Sequence, residues 1–185
     1  RVRASLLFTL AGFNENIRHF NEAINCYNQY REIYPDDICA VHRLQINYRL
    51  TSNWLGLCKM LLVEKDMSPN PAERCTLYLR IAEICVAYLD KRQFAIDILQ
   101  KAREENPQNA SIYHLLCQIL SKEKRWLEFV SVLNDVIRHL PSSNEKIATL
   151  CRIGTVYENQ LSDDTSAISA YERILKLDPS NIFAI

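Results

Sequence analysis

Seven cysteines and four histidines are the residues of this sequence whose types could bind a metal, form disulfides or supply a nucleophile. The cysteines lie at positions 26, 39, 58, 75, 85, 117 and 151, an odd number without a C-x-x-C pair. Zinc sites and disulfide frameworks require paired, closer spacing. We therefore expect neither, and free thiols favour a reducing compartment such as the cytoplasm.

Motifs of known catalytic or nucleotide-binding chemistry are absent from the sequence. It contains no G-x-G-x-x-G, no G-x-x-x-x-G-K-[ST] and no H-E-x-x-H. The clustered hydroxyls of Ser142 and Ser143 have the pattern of a helix cap. These observations predict a protein that is not an enzyme and has no cofactor.

Charge and hydropathy argue against a general nucleic-acid surface, although not against a local basic patch, and against a membrane span. The chain has 22 basic and 22 acidic residues, so its formal net charge is 0. A general nucleic-acid surface is usually strongly basic. No run of about 18 apolar residues occurs, so we expect no membrane span.

Proline spacing shows that the sequence repeats. Apart from Pro71, prolines stand at 35, 69, 107, 141 and 179, in steps of 34, 38, 34 and 38 residues. Two steps make 72 residues, and this offset pairs His42 with His114 and Trp54 with Trp126. Periods of this size are typical of stacked helical units. The two histidines then lie two repeats apart, too far for a shared metal.

Each repeat has the pattern of two helices. In residues 143–181 apolar residues recur at helical spacing on both sides of a break at residues 162–164, where a helix cap is expected. Gly154 interrupts the first pattern, which predicts that a neighbouring helix approaches closely there. The second pattern ends before Pro179, because the residue before proline avoids helical geometry. No strand-like alternation occurs.

The segment IGTVYENQLSDDTSAISAYERILKLDPSN resembles a tetratricopeptide repeat, with one extra residue between its helices. The matching positions are Leu150, Ile153, Gly154, Tyr157, Ala167, Tyr171, Ile174 and Pro179. The resemblance covers nearly the whole chain and implies an all-α, right-handed α-solenoid of about five antiparallel helix pairs. The repeats are expected at about 2–37, 38–70, 71–109, 110–142 and 143–181. Leu57 and Phe129 depart from the family's alanine, which suggests wider local packing.

The repeats define one domain, residues 1–185, which we expect to be a fragment of a longer protein. The first residue, Arg1, is not Met, and the last, Ile185, is apolar. Ends of a helical array expose apolar faces unless they are capped, so self-association through the ends is a further prediction.

Cysteine and tryptophan are predicted to pack in the core. Most cysteines have apolar or small residues 72 positions away, as expected of small core side chains. Cys39 is the cysteine that we most expect to be exposed, because its counterpart is Ser111. Trp54 and Trp126 open amphipathic second helices, and we expect both to be buried.

The resemblance also implies a concave groove lined by the first helix of each repeat. The residues expected to line it are His42, Arg43, Arg49, Arg80, Glu83, His114, Gln118, Lys122, Arg152 and Thr155. Cations outnumber carboxylates in this set, so an acidic peptide is a candidate partner. The alternative is that these charges are solvated or form ion pairs between neighbouring repeats. The Lys and Asn pattern with which the family clamps C-terminal carboxylates is absent.

We predict a protein–protein interaction scaffold that binds a peptide or a helix in its groove. One alternative is an RNA-binding helical-repeat protein, against which the neutral charge and the few inward aromatic residues count. Another is a structural spacer or oligomerisation module of a larger enzyme or membrane-associated protein.

Overall fold

The structure is a computed structural model that describes residues 2–184. Its helices in that range are α1 (Val2–Asn16), α2 (Phe20–Ile33), α3 (Ile38–Leu50), α4 (Trp54–Met67), α5 (Pro71–Ala87), α6 (Arg92–Glu105), α7 (Ala110–Lys122), α8 (Trp126–His139), α9 (Ser143–Val156) and α10 (Asp164–Leu177). A π-helical segment, Tyr157–Leu161, continues α9. Residues 2–184 contain no strand, and the predicted all-α fold of helix pairs is confirmed. None of these helices is both long and apolar enough to cross a membrane.

The chain divides between Asn106 and Pro107 into two compact units. In the first unit, each helix from α1 to α5 packs against the next one. In the second unit the same holds from α7 to α10. Because short connections join neighbours, consecutive helices run antiparallel.

Proline ends the second helix of every pair. Helices α2, α4, α6, α8 and α10 all stop two residues before a proline. The intervening residues have ψ angles between 77° and 128°, which are not helical. This is the restriction that proline places on its predecessor.

Left-handed residues mark the turn inside every pair. Arg18, Ser52, Asp90, Lys124 and Ser162 have φ between 51° and 61°. They are 34, 38, 34 and 38 residues apart, the same steps as the prolines. The residue after each donates its N–H back to a carbonyl in the preceding helical segment, as in a Schellman-type ending.

The core of each unit is aliphatic with a few aromatic rings. Its largest fully buried side chains in the first unit are Tyr27, Leu44, Leu57, Leu61, Ile81, Ile96 and Leu99. In the second unit they are Ile112, Leu116, Leu120, Leu150 and Ile153. Leu57 and Phe129, which replace the family's alanine, are both buried in the core.

Gly154 lies where the sequence predicts a close approach between helices. A Cβ atom at this position would lie 2.5 Å from Cε1 of Tyr171 in α10. Gly56 in α4 allows a similar close approach to Tyr48 in α3. A Cβ atom at Gly56 would lie 2.6 Å from Cδ1 of Tyr48. In both pairs a tyrosine ring occupies the space that the missing side chain leaves.

The predicted packing of the cysteines is confirmed, and that of the tryptophans is wrong. Five cysteines are buried, Cys151 is half-buried and Cys39 is exposed. Both tryptophans are only half-buried. Each opens a helix, so its ring reaches the edge of the core: Trp54 stacks on Tyr88 with centroids 3.9 Å apart, and Trp126 meets Phe129 edge-on at 6.0 Å.

One face of α1 is exposed and apolar. It consists of Val2, Leu6, Leu10 and Phe13, and exposed Ile17 follows directly after the helix. The residues 72 positions after Leu6, Leu10 and Phe13 are buried in α5, which packs against α4 of the preceding pair. Self-association through such a face stays a prediction.

Candidate functional site

A groove in the first unit runs between α3, the end of α4 and the start of α5. We call it the first groove; it has a volume of about 630 Å³. Its lining residues are Ile38, His42, Glu64, Met67, Ser68, Pro69, Glu73, Thr76, Leu77 and Arg80. An extension of about 180 Å³ shares His42 and Arg80 and adds Gln45, Ile46 and Arg49.

Helix caps fix the walls of the first groove. The Asp37 carboxylate accepts the N–H of Cys39 at 2.8 Å and the Tyr30 hydroxyl at 2.6 Å, and so holds the start of α3. The Tyr30 hydroxyl lowers the pKa of Asp37, which keeps the cap charged. On the other wall, Asn70 caps α5, whose first residue is Pro71. Two rigid helix starts therefore position His42 and Arg80.

The charges of the first groove are balanced. Glu64 accepts hydrogen bonds from His42 Nε2 at 2.9 Å and from Gln45 Nε2 at 2.6 Å. Glu73 accepts the Ser68 hydroxyl at 2.8 Å. The lining thus has two carboxylates, Glu64 and Glu73, and two guanidinium groups, those of Arg80 and of Arg49 in the extension. Of the two carboxylates, Glu64 is hydrogen-bonded to the histidine.

A second groove, of about 430 Å³, lies between α7, α8 and α9 in the second unit. Its lining residues are Gln108, Ala110, Tyr113, His114, Cys117, Gln118, Ser121, Leu133, Val136, His139, Leu140, Thr149 and Arg152. The start of α7 is held by Asn109, which accepts the N–H of Ser111 at 3.0 Å. Tyr113 adds a hydrogen bond from its hydroxyl to the carbonyl of Pro107 at 2.8 Å.

The two grooves occupy the same positions of the 72-residue unit. Ten of the thirteen residues that line the second groove lie 72 positions after a residue that lines the first groove or its extension. His42 corresponds to His114, and Arg80 corresponds to Arg152. Each unit therefore has a groove lined by a histidine and an arginine at equivalent positions of the repeat.

The second groove has no carboxylate in its lining. Val136 stands where the first groove has Glu64, and His139 stands where it has Met67. Among residues 2–184 no carboxylate forms an ion pair with Arg152, whose guanidinium carbon lies 5.5 Å from the centroid of the Phe129 ring. Burial raises the pKa of Cys117 to about 11, so this thiol is a neutral part of the wall.

The sequence-predicted site residues divide into two sets. The structure brings His42, Arg49 and Arg80 together at the first groove and its extension, and His114, Gln118 and Arg152 at the second. The other predicted residues line neither groove; they are Arg43, Glu83, Lys122 and Thr155.

Two of these other residues have structural partners. Arg43 Nη1 forms an ion pair with Glu15 of α1 at 3.1 Å, so its charge links two neighbouring helix pairs. Asn47 donates to the same carboxylate from a fully buried position. The Thr155 hydroxyl donates to the carbonyl of Cys151, one turn earlier, at 2.9 Å.

Sequence reasoning missed the walls that second helices supply. Glu64 and Met67 at the end of α4, and Val136 and His139 at the end of α8, line the grooves beside the first-helix residues. The 72-residue offset, which pairs these positions, was the signal available in the sequence. The resemblance to the tetratricopeptide repeat implies a groove lined by first helices, so the predicted lining residues do not include these second-helix positions.

Possible metal ligands and thiol nucleophiles in residues 2–184 do not form a cluster of three or more side chains. Residues 2–184 contain no group of three or more His, Cys, Asp or Glu side chains that could hold a metal ion. The closest pair of thiols, Cys58 and Cys85, has its sulfur atoms 3.9 Å apart, and both side chains are buried. The thiol of Cys58 can donate to Cys85, and this bond and burial raise its pKa. A protonated thiol is a poor nucleophile.

Comparison with known proteins agrees with this architecture. A family model described as the tetratricopeptide repeat matches residues 147–181. Among solved structures, YrrB, described as a TPR protein with an unusual peptide-binding site, superposes with a TM-score of 0.50 at 15% identity, over 96% of this chain and 88% of YrrB. No curated protein sequence matches the chain significantly.

MamA structures have the same fold. One superposes with a TM-score of 0.50 at 16% identity, over 96% of this chain and 92% of MamA. The MamA of AMB-1 gives 0.52 at 18% identity, over 97% of this chain and 94% of that protein. At such identities the likeness shows the fold alone. The resemblance to the tetratricopeptide repeat family that the sequence predicts is confirmed.

Proposed function

We propose that the chain is a non-catalytic scaffold that binds a protein partner in its grooves. The match of residues 147–181 to the tetratricopeptide repeat model and the all-α fold of helix pairs support this proposal. The ligand is an extended peptide or one face of a helix, which fits an open concavity between helix ends. The free thiols of all seven cysteines support a reducing compartment, the cytoplasm, as its location.

The observation that carries the proposal is the recurrence of the groove. A solenoid needs repeated residues in its core, where each helix packs on the next. His42, His114 and Arg152 are exposed and Arg80 is half-buried, so packing alone does not require them. Guanidinium groups suit carboxylates of a peptide, because their planar donors can bind both oxygens of the group.

Selection of random dodecapeptides on the immobilised chain tests the proposal. Selected peptides should bind the wild type in fluorescence anisotropy titrations, and the double variant Arg80→Ala/Arg152→Ala should bind them at least about tenfold more weakly. The double variant Lys101→Ala/Lys176→Ala removes the same charge from exposed positions that line neither groove, and should bind like the wild type.

Two outcomes would contradict the proposal. One is that no peptide is selected above the background of an empty support. The other is that the arginine variant binds the selected peptides with wild-type affinity. Circular dichroism of each variant must match the wild type, so that a loss of binding is not a loss of fold.

A further inference from the structure

The two grooves share ten positions of one 72-residue unit and differ in charge at two of them, Glu64 with Val136 and Arg49 of the extension with Ser121. At the position of Glu64 in α4 the second groove has Val136 in α8. In the first groove the Glu64 carboxylate is 2.9 Å from His42 Nε2 and 2.6 Å from Gln45 Nε2. It therefore occupies the His42 and Gln45 donors, which an incoming carboxylate could otherwise use.

The first groove has two carboxylates, Glu64 and Glu73, against the two guanidinium groups of Arg49 and Arg80. A peptide carboxylate that enters this groove meets local charge that is already balanced. The two carboxylates would also repel it at short range. We expect such a groove to prefer neutral or basic side chains.

The second groove has Arg152, His114 and His139 as its ionisable nitrogen groups and no acidic residue in its lining. Glu145, the counterpart of Glu73, lies in the first turn of α9 and is not part of the lining. A guanidinium group without an acidic neighbour retains its donors for a ligand.

Apolar side chains line the same groove as these donors. They are Leu133 and Val136 of α8 and Leu140, which caps the end of α8, whereas Arg152 belongs to α9. The Gln118 amide stands 2.8 Å from His114 Nε2, and both side chains are exposed at the α7 wall. An aliphatic side chain can rest on the apolar side chains while a carboxylate beside it reaches Arg152.

From this difference we infer that the second groove is an acid-selective subsite, which binds a peptide segment that carries Asp or Glu next to an aliphatic residue. The first groove does not select for acid. The inference rests on the proposed function, since both grooves must bind peptide for their preferences to differ. It assigns the specificity to one residue pair, Glu64 and Val136, at one position of the repeat.

Exchanging this pair in the full chain tests the inference. Val136 and Glu64 are both half-buried, so each position is partly in contact with solvent. Val136→Glu gives the second groove the carboxylate of the first, and Glu64→Val removes it from the first groove. Random dodecapeptides are selected on the wild type and on both variants under the same conditions.

The wild type should select peptides enriched in Asp or Glu beside Leu, Ile or Val. Val136→Glu should lose this enrichment, and Glu64→Val should increase it. Synthetic wild-type peptides should bind Arg152→Gln at least about tenfold more weakly, whereas Arg80→Gln should change their affinity less than about threefold. The Arg152→Gln variant removes the charge but keeps a polar side chain, and it tests the charge if Val136→Glu does not fold.

Different failures of the experiment have different meanings. Peptides that bind without acid enrichment would overturn the inference and leave the scaffold function intact. Acid enrichment that persists in Val136→Glu, or wild-type affinity of the selected acidic peptides for Arg152→Gln, would place acid recognition elsewhere and also overturn it. If no peptide is selected on any of these proteins, the scaffold function fails and the inference fails with it.

Discussion

Replacing Gly154 with alanine tests whether the close approach of the Tyr171 ring to α9 requires a residue without a side chain. A Cβ at this position would lie 2.5 Å from Cε1 and 2.7 Å from Cζ of Tyr171. Ordinary contacts of a Cβ begin at 3.4 Å, so the ring or the helix must move by about 0.9 Å. The ring is half-buried, and its hydroxyl donates to Glu158 at 3.0 Å, which restricts the movement.

The net effect is the difference between two opposing terms. Overpacking a fitted contact costs about 1–3 kcal/mol. Alanine gains about 1 kcal/mol over glycine inside a helix. We therefore expect Gly154→Ala to lower the free energy of unfolding by up to about 2 kcal/mol. Gly12→Ala in α1 is the matched control: nothing lies within 4 Å of its added Cβ, so it should gain about 0.5–1 kcal/mol.

Urea unfolding followed by tryptophan fluorescence can separate the two sites. In a Trp54→Phe background Trp126 reports the unit that holds Gly154, and in a Trp126→Phe background Trp54 reports the unit that holds Gly12. Adding Tyr171→Ala should remove the penalty of Gly154→Ala, because the clashing ring is gone. Stabilisation by Gly154→Ala to the same extent as by Gly12→Ala would refute the reasoning.

Three further predictions follow from the contacts and backbone. The Tyr78 hydroxyl donates to Glu105 at 2.7 Å, and this hydrogen bond is the largest cause of the lowered pKa of the Glu105 carboxyl. The bond therefore stabilises the fold fully at pH values above the unfolded pKa of about 4.3. This stabilisation is lost as the pH falls through the lower pKa of the folded state. Tyr78→Phe should therefore lower the free energy of unfolding at pH 7 and lose less of it on acidification to about pH 3; urea titrations that fall in parallel for both proteins would contradict this. Iodoacetamide should modify Cys39 long before the five buried cysteines, as peptide mass spectrometry can measure, and equal rates for all of them would show that the core opens readily. Lys124→Gly should raise the free energy of unfolding by up to about 1 kcal/mol in urea titrations, because φ at this residue is 56° and glycine removes the left-handed penalty; an unchanged or lower value would show that the strain is absent.

The sequence by itself predicted the helices well, since their signals are local. The residue before each proline cannot be helical, and α6 and α10 stop where Pro107 and Pro179 require it. The cap predicted at residues 162–164 is Asp163, whose carboxylate accepts the N–H of Ser166 at 3.1 Å. Gly154 was read correctly as a point of close approach, because glycine inside a helix is costly without such a reason.

The candidate site was predicted only in part. His42, Arg80, His114 and Arg152 line grooves, but Arg43 is held by Glu15, 28 residues earlier in the chain. No pattern in α3 alone reveals that ion pair, because the partner belongs to another helix pair. The predicted residues that line grooves and those that make structural contacts have the same residue types and the same helical spacing. Sequence patterns therefore do not separate the two sets.

The sequence determined the class of fold, the helix ends and the 72-residue register, because each depends on residues a few positions apart or on a spacing that can be counted. The tertiary structure decided which charges remain available for a ligand. Glu64 lies 22 residues from His42 and becomes its partner only when α4 packs beside α3. Val136, at the equivalent place, provides no carboxylate to His114. The electrostatics of a groove depend on distances across helices, and packing alone sets those distances.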